Sequence, residues 1–146
     1  MKVLVQRVSS ASVSVDGKTT GAIGAGLVLL VGVGAEDDQA AVEYCVDKCA
    51  NLRLFADGEG RMNRSLLDVS GAALVIPQFT LYGDCSRGRR PSFNAAAGAQ
   101  LAEQLYNQFA DGMAQRGIEV ATGVFGAHMG VEIHNDGPVT ISLEYP

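Results

Sequence analysis

The stretch Ala72 to Asp84, A-A-L-V-I-P-Q-F-T-L-Y-G-D, limits the possible folds most sharply. It opens as an unbroken apolar run, Ala72 to Ile76, bounded by Gly71 and Pro77. A short run of this kind, with β-branched residues and flanking breakers, predicts a buried strand. Pro77 has no N–H to give to a sheet ladder, so regular pairing is expected to stop or bulge there. The backbone from Gln78 to Thr80 is then free to face a ligand. Polar side chains gather at the same place: Gln78, Thr80, Tyr82 and Asp84. A rigid strand that delivers polar groups at its tip is a common way to build a site. Taken alone, the pattern reads first as an ordinary strand end with a polar turn.

The remaining chain supplies the cover such a strand needs. Leu27 to Val33 is apolar throughout and predicts a central strand buried on both faces. Met1–Ser9 and Ser12–Val15 read as strands. Asp16-Gly17 is a hairpin signal that returns the chain through Thr19–Ile23. Asp37 or Asp38 caps a helix that runs to about Asn51. Leu52–Phe55 is a short strand, Asp57–Gly60 a turn and Asn63–Asp68 irregular. Asn94 is expected to cap a second helix, Ala95 to about Arg116, ended by Gly117. Its core face is Leu101, Leu105, Phe109 and Met113, or the neighbouring Ala102 and Tyr106. Ile118–Val124, Gly130–His134 and Val139–Leu143 predict three closing strands. The fold class is α+β: a strongly curved, barrel-like, mostly antiparallel or mixed sheet of about seven strands with two main helices packed on it. The 146 residues suit a single domain, Met1 to Pro146, and the 18 glycines favour a strand-rich chain with many turns.

Composition excludes several classes. A chain that is 47% hydrophobic and 18% charged is globular rather than disordered. Gln6 and Arg7 interrupt the first apolar run too early for a signal peptide, and Gly26 to Gly34 is too short to span a bilayer. A cytoplasmic protein is expected. The net charge of −5 argues against a non-specific nucleic-acid coat protein but leaves room for a local basic patch. The cysteines, Cys45, Cys49 and Cys85, have no disulfide-framework spacing. They read as free thiols rather than as part of a zinc site with His128 and His134.

Three groups of residues carry candidate chemistry. Arg87, Arg89 and Arg90 follow the organising strand in one loop, and arginine presents a planar fork that matches phosphate oxygens. Arg61 and Arg64 extend that patch, if they lie beside it. Thr80 is the one hydroxyl at the strand tip, but a threonine nucleophile needs a neighbouring base, and spacing places neither His128 nor His134 beside it. No nucleophile elbow, paired metal-ligand motif or phosphate-binding loop is present. If such a chain is an enzyme, its catalysis is expected to rest on backbone dipoles and positioning rather than on a side-chain triad. Asn135-Asp136-Gly137-Pro138 marks a sharp turn between two strands. Residue statistics alone favour a trans bond before Pro138.

The segments M-K-V-L-V-Q-R-V-S-S-A-S-V, R-L-F-A-D-G-E-G-R-M-N-R-S, P-Q-F-T-L-Y-G-D, R-P-S-F, T-G-V-F-G-A-H-M and N-D-G-P-V-T resemble, in order and along the whole chain, the D-aminoacyl-tRNA deacylase family. That resemblance implies a cytoplasmic homodimer that hydrolyses the ester between a D-amino acid, or mischarged glycine, and the 3′-terminal adenosine of tRNA. It implies no metal and no organic cofactor. It makes Gln78, Phe79 and Thr80 the catalytic segment, with the Phe79 and Thr80 amides as an oxyanion hole and Gln78 orienting the adenosine or the carbonyl. It makes Gly137 and Pro138, joined by a cis bond, the chiral selector that reaches into the partner subunit's pocket. Met129 would line that pocket, and Arg87, Arg89 and Arg90 would hold tRNA phosphates. On this reading Gly137→Ala is expected to cost activity far more than stability. Pro77 stands where the family usually has serine, and His128 where an acidic residue is more usual. A relaxed-chirality branch carries proline at the first of these places. That leaves a relaxed-chirality deacylase and a non-catalytic tRNA-binding module as the competing readings.

Overall fold

The computed structural model describes residues 1–146. Eight strands and two helices alternate in an α+β arrangement. The first strand, β1 (Lys2–Val15), is one continuous element of 14 residues, where the sequence suggested two. The gap expected at Ser10-Ala11 is filled: Ser10 is exposed and Ala11 buried, and both stay in the strand. One edge of β1 carries β3 (Gly26–Gly32) along its first half and β2 (Lys18–Ile23) along its second. The other edge carries β8 (Gly130–Glu144) along almost its whole length. The β1–β2 turn is Asp16-Gly17, both with positive φ (50° and 77°), the pair of conformations that matches the twist of a two-residue hairpin.

Beyond β3 the sheet turns parallel. β6 (Ala72–Pro77) pairs with β3 from Gly26↔Ala72 to Val31↔Pro77, and β7 (Val120–Thr122) pairs with β6. Parallel neighbours require crossovers, and the two helices supply them. α1 (Gln39–Asn51) lies between β3 and β6, and α2 (Ala99–Gln115) between β6 and β7. The short antiparallel ribbon β4 (Phe55–Ala56) and β5 (Met62–Arg64) stands outside the main sheet. The sheet nearly closes on itself: a Cβ at Gly21 on β2 would stand 2.8 Å from the Thr122 carbonyl oxygen on β7, so only glycine allows that approach.

The two apolar runs are buried on both faces, as their lack of alternation implies. Leu27, Leu29 and Val31 of β3 and Ala73 and Val75 of β6 face the helices, in one core with Phe109, Met113 and Cys49. Val28, Leu74 and Ile76 face inward to a second core with Val8, Val13 and Ile23 inside the curved sheet. β6 is therefore held from both sides, and its C-terminal tip is fixed in space.

Local chemistry moved several boundaries. Asp38 caps α1 by accepting from the Ala41 amide at 3.2 Å. α2 begins at Ala99, not at Ala95 under an Asn94 cap. Ala95 and Ala97 are taken up instead by the end of β3: Ala35 N–H donates to Ala95 O and Ala97 N–H to Val33 O. Leu52 ends α1, the short strand starts at Phe55, and part of the Asn63–Asp68 segment is ordered as β5. Gly130–His134 and Val139–Leu143 are one strand, β8, rather than two.

Candidate active site

The tip of β6 is built by a change of backbone partner. Pro77 pairs only through the parallel ladder with Val31, and the next amide, Gln78 N–H, donates to Val31 O at 2.8 Å. The Gln78 amide is thus committed to β3 rather than free. The chain then winds into a 3₁₀ turn, Phe79–Tyr82, with Leu81 N–H on Gln78 O (3.2 Å) and Gly83 N–H on Thr80 O (3.0 Å). Leu81 is the first internal donor of that turn. The amides of Phe79 and Thr80 precede it, in the position where helical turns leave their N–H groups without internal acceptors. The Gln78 side-chain amide donates to the Thr80 hydroxyl.

A cleft of about 460 Å³ opens beside this turn. Gln78 and the exposed Phe79 stand at its lip, and the buried Ile76 and Tyr106, with Phe125 and Met129, line it further. Its lining is mostly apolar, with few polar groups, the usual make-up of a small-ligand site. Tyr106, missed by sequence reasoning except as a helix core position, donates its hydroxyl to Val75 O at 2.8 Å. Burial pushes its phenol up to about 12, so it stays neutral. Phe125 lies 6.0 Å from its ring. Met129 is held in place by the Val124 amide, which donates to its sulfur at 3.4 Å. His128 lines the same cleft, whereas His134 sits on β8 opposite Ser10. The only signal for Phe125 was its place in the T-G-V-F-G-A-H-M segment.

Gly137 and Pro138 lie elsewhere. Val8 pairs with Asn135 and Gln6 with Thr140, so the four residues Asp136–Val139 bulge out of β8 opposite the single residue Arg7. The Gly137–Pro138 bond is cis and both residues are exposed. Asn135 brackets the bulge: its Oδ1 accepts from Val139 N–H at 2.8 Å and its Nδ2 donates to Val139 O at 3.2 Å. Arg7, which the sequence did not single out, sits under the bulge and donates from Nε to Asp136 O at 2.9 Å. Gly137 has φ +148°, and a Cβ there would meet Val139 N at 2.8 Å and Val139 Cγ2 at 2.9 Å. The bulge does not line its own chain's cleft.

Arg87, Arg89 and Arg90 project from an exposed loop closed at its root by two backbone bonds between Asp84 and Ser92 (2.8 and 2.9 Å). Asp84 Oδ1 accepts from Ser86 N–H at 2.9 Å, and hydrogen bonding from Ser86 holds its carboxyl below the usual range. Arg61 and Arg64 belong to the separate ribbon. Arg61 there lies 3.7 Å from Glu59. Cys45 and Cys49 are buried in the helix core, and Cys85 is exposed. No helix is long and apolar enough to cross a membrane.

The family model described as D-Tyr-tRNA(Tyr) deacylase matches residues 4–144. The chain is 55% identical, over 99% of its length and 97% of the relative's, to the D-aminoacyl-tRNA deacylase of Fervidobacterium nodosum. It is 56% identical to that of Roseiflexus castenholzii, over 99% of the chain and 92% of the relative. A solved structure described as c-Myc DNA Unwinding Element Binding Protein superposes with TM-score 0.94 at 41% identity, covering 100% of this chain and 99% of the other. A second, from a structural analysis of a probable eukaryotic D-amino acid tRNA deacylase, shares the fold with TM-score 0.84 at 19% identity, covering 99% of this chain and 98% of that one. With a matching family model from residue 4 to residue 144 and full-length relatives above 50% identity, the chain belongs to the D-Tyr-tRNA(Tyr) deacylase family.

Proposed function

We propose that this protein hydrolyses the ester between a D-amino acid, or glycine, and the 3′-terminal adenosine of tRNA, as a cytoplasmic homodimer. One arrangement carries the reading: Gln78 and Phe79 line an apolar cleft, and Phe79 opens a 3₁₀ turn whose two leading amides are its own and that of Thr80, just outside the lining. In ester hydrolysis, water adds to the carbonyl carbon, the carbonyl oxygen takes negative charge, and the bond to the ribose oxygen then breaks. Two fixed N–H donors aimed at that oxygen stabilise the charge without reorganising. Gln78 orients the substrate. Thr80, whose hydroxyl already accepts from Gln78, positions rather than attacks.

The Gly137–Pro138 bulge supplies the selector. It is exposed, stands away from its own chain's cleft and is braced by Arg7 and Asn135, which suits it to enter the cleft of a second subunit. Rigid backbone carbonyls there accept from the substrate ammonium group and leave no room for an L side chain. Glycine has no side chain to exclude and passes. Met129 lines the receiving wall, and Arg87, Arg89 and Arg90 take the tRNA backbone.

The test is deacylation of D-Tyr-tRNA and L-Tyr-tRNA side by side, with and without a chelator. Cleavage of the D ester alone, insensitive to chelator, is the expected result. Cleavage of both would favour the relaxed-chirality reading that Pro77 raises and would make Pro77→Ser the variant to examine. Cleavage of neither, with tRNA still bound, would leave a binding module.

A further inference from the structure

The proposed oxyanion donor at Phe79 is a backbone N–H, which any residue except proline supplies. The phenyl ring needs a separate account, because it is 56% exposed at the lip of the cleft. Its one aromatic neighbour is Phe93, whose ring meets it at 5.1 Å and 67°. Phe93 follows Ser92, the residue that closes the arginine loop onto Asp84. Gly83 packs against the same ring, where a Cβ would stand 3.2 Å from Phe93 Cε1. The root of the arginine loop is therefore stapled to the Phe79 ring. Asp84, the acid at that root, spends one carboxylate oxygen on the Ser86 amide, and Arg87, Arg89 and Arg90 stand free on the outside.

We propose that the Phe79 ring, backed by Phe93, is a stacking platform for the base that precedes the 3′-terminal adenosine of tRNA, a role that rests on the deacylase reading above. An exposed aromatic face beside a run of cations is the arrangement that binds single-stranded nucleic acid. The ring takes any base by its π-face and the cations track the phosphates. The order along the surface is the order along the RNA: cleft for the terminal nucleoside, ring at the lip for the preceding base, arginines beyond for the backbone.

The test is direct binding of the labelled trinucleotide C-C-A, followed by fluorescence anisotropy, against the same RNA with the middle base removed. Wild type is expected to bind the intact RNA about tenfold more tightly. Phe79→Leu is expected to bind both alike, and Phe79→Tyr, which keeps a ring, to keep the preference. Equal binding of both RNAs by wild type, or a preference that survives in Phe79→Leu, would overturn the platform. So would a preference that Phe79→Leu abolishes for the terminal base instead of the middle one, or burial of the ring by a second copy of the chain in solution. No ester is cleaved in this assay. A wild type that shows ring-dependent base binding but no deacylation would therefore refute the enzymatic reading and leave the platform standing.

Discussion

Arg7 and Asp136 are joined twice: Arg7 Nε donates to the Asp136 carbonyl at 2.9 Å and lies 3.7 Å from its carboxylate. The same guanidinium donates to Leu54 O at 2.5 Å. One planar fork thus ties the bulge that holds Gly137 to the segment entering the β4–β5 ribbon, and its side chain is only 15% exposed. Lysine is a point charge on a flexible stem and cannot span both carbonyls. Arg7→Lys is expected to lose about 1–3 kcal/mol in urea denaturation, from one carbonyl left unpaired. It should also lose about tenfold or more in kcat/KM on D-Tyr-tRNA if the bulge is the selector proposed above, because that bulge is no longer held. A folded variant with wild-type kcat/KM would show that the bulge has no part in substrate selection.

Gly137→Ala tests the same bulge from within. With φ at +148° and an added Cβ 2.8 Å from the Val139 amide nitrogen, the change strains the chain before any substrate arrives. The sequence alone suggested an effect on activity with little on stability. The geometry instead gives both: about 1–3 kcal/mol of stability from backbone strain, and loss of deacylation. Thermal unfolding beside single-turnover hydrolysis separates the two, and a variant as stable as wild type would contradict this description of the bulge.

The parts legible in the sequence are those governed by pattern. The unbroken apolar runs gave β3 and β6 within a residue, and the Asp16-Gly17 dipeptide gave the hairpin. The parts that were not legible depend on distant partners. Nothing near Asn94 says that the backbone at Ala95 and Ala97 will bond to the end of β3, which delays α2 to Ala99. Nothing near Pro138 says that both flanking strands lie on β1, so the sharp turn is a bulge in one strand. Arg7 looked like a polar residue at a strand surface, because its acceptors, Leu54 and Asp136, are 47 and 129 residues away. At the tip of β6 the proline signal was sound, but the Gln78 amide found Val31, and only the Phe79 and Thr80 amides lead the turn.

The arginine loop makes an ionic prediction. Each phosphate neutralised contributes close to one unit to the slope of log K against log salt. Arg89→Ala combined with Arg90→Ala should weaken tRNA binding and lower that slope by about two. The same change made at Arg61 and Arg64, on the separate ribbon, provides the comparison. An unchanged slope in the first pair and a lowered one in the second would move the RNA surface to the ribbon.

Alkaline pH should loosen the helix core before it touches the site. Burial raises the Cys45 thiol from 9.0 to about 11, and burial raises Cys49 as well. The folded state holds those protons while the unfolded state releases them from about 9 upward. Their contribution is complete below pH 9 and is lost as pH rises towards 11. Denaturant midpoints at pH 7, 9 and 10.5 should therefore fall for wild type. They should fall less steeply for Cys45→Ala with Cys49→Ala, even though that variant starts lower because of the volume removed. Parallel declines would place the alkaline sensitivity elsewhere, with Tyr82 the next candidate, its phenol raised by burial and by the Asp37 carboxylate.

Substitution at Thr80 tests how the ester is cleaved. Its hydroxyl accepts from the Gln78 side chain, and its own amide is one of the two donors proposed to hold the oxyanion. A nucleophilic role would need a base beside the hydroxyl, and the only side chain hydrogen-bonded to it is Gln78, which is no base; His128 lines the adjacent cleft and is the histidine to test. Thr80→Ala keeps the amide and removes the hydroxyl. If the hydroxyl only positions Gln78, activity should fall by about ten- to a hundredfold with tRNA binding retained, and Gln78→Ala should add little when combined with it, because the two act as one unit. If the hydroxyl attacks, Thr80→Ala should abolish turnover. His128→Ala should then be nearly as damaging, and a covalent aminoacyl adduct should accumulate on wild type under rapid quench. Residual turnover in Thr80→Ala, no adduct and a mild His128→Ala would together place the chemistry on water held against two backbone amides.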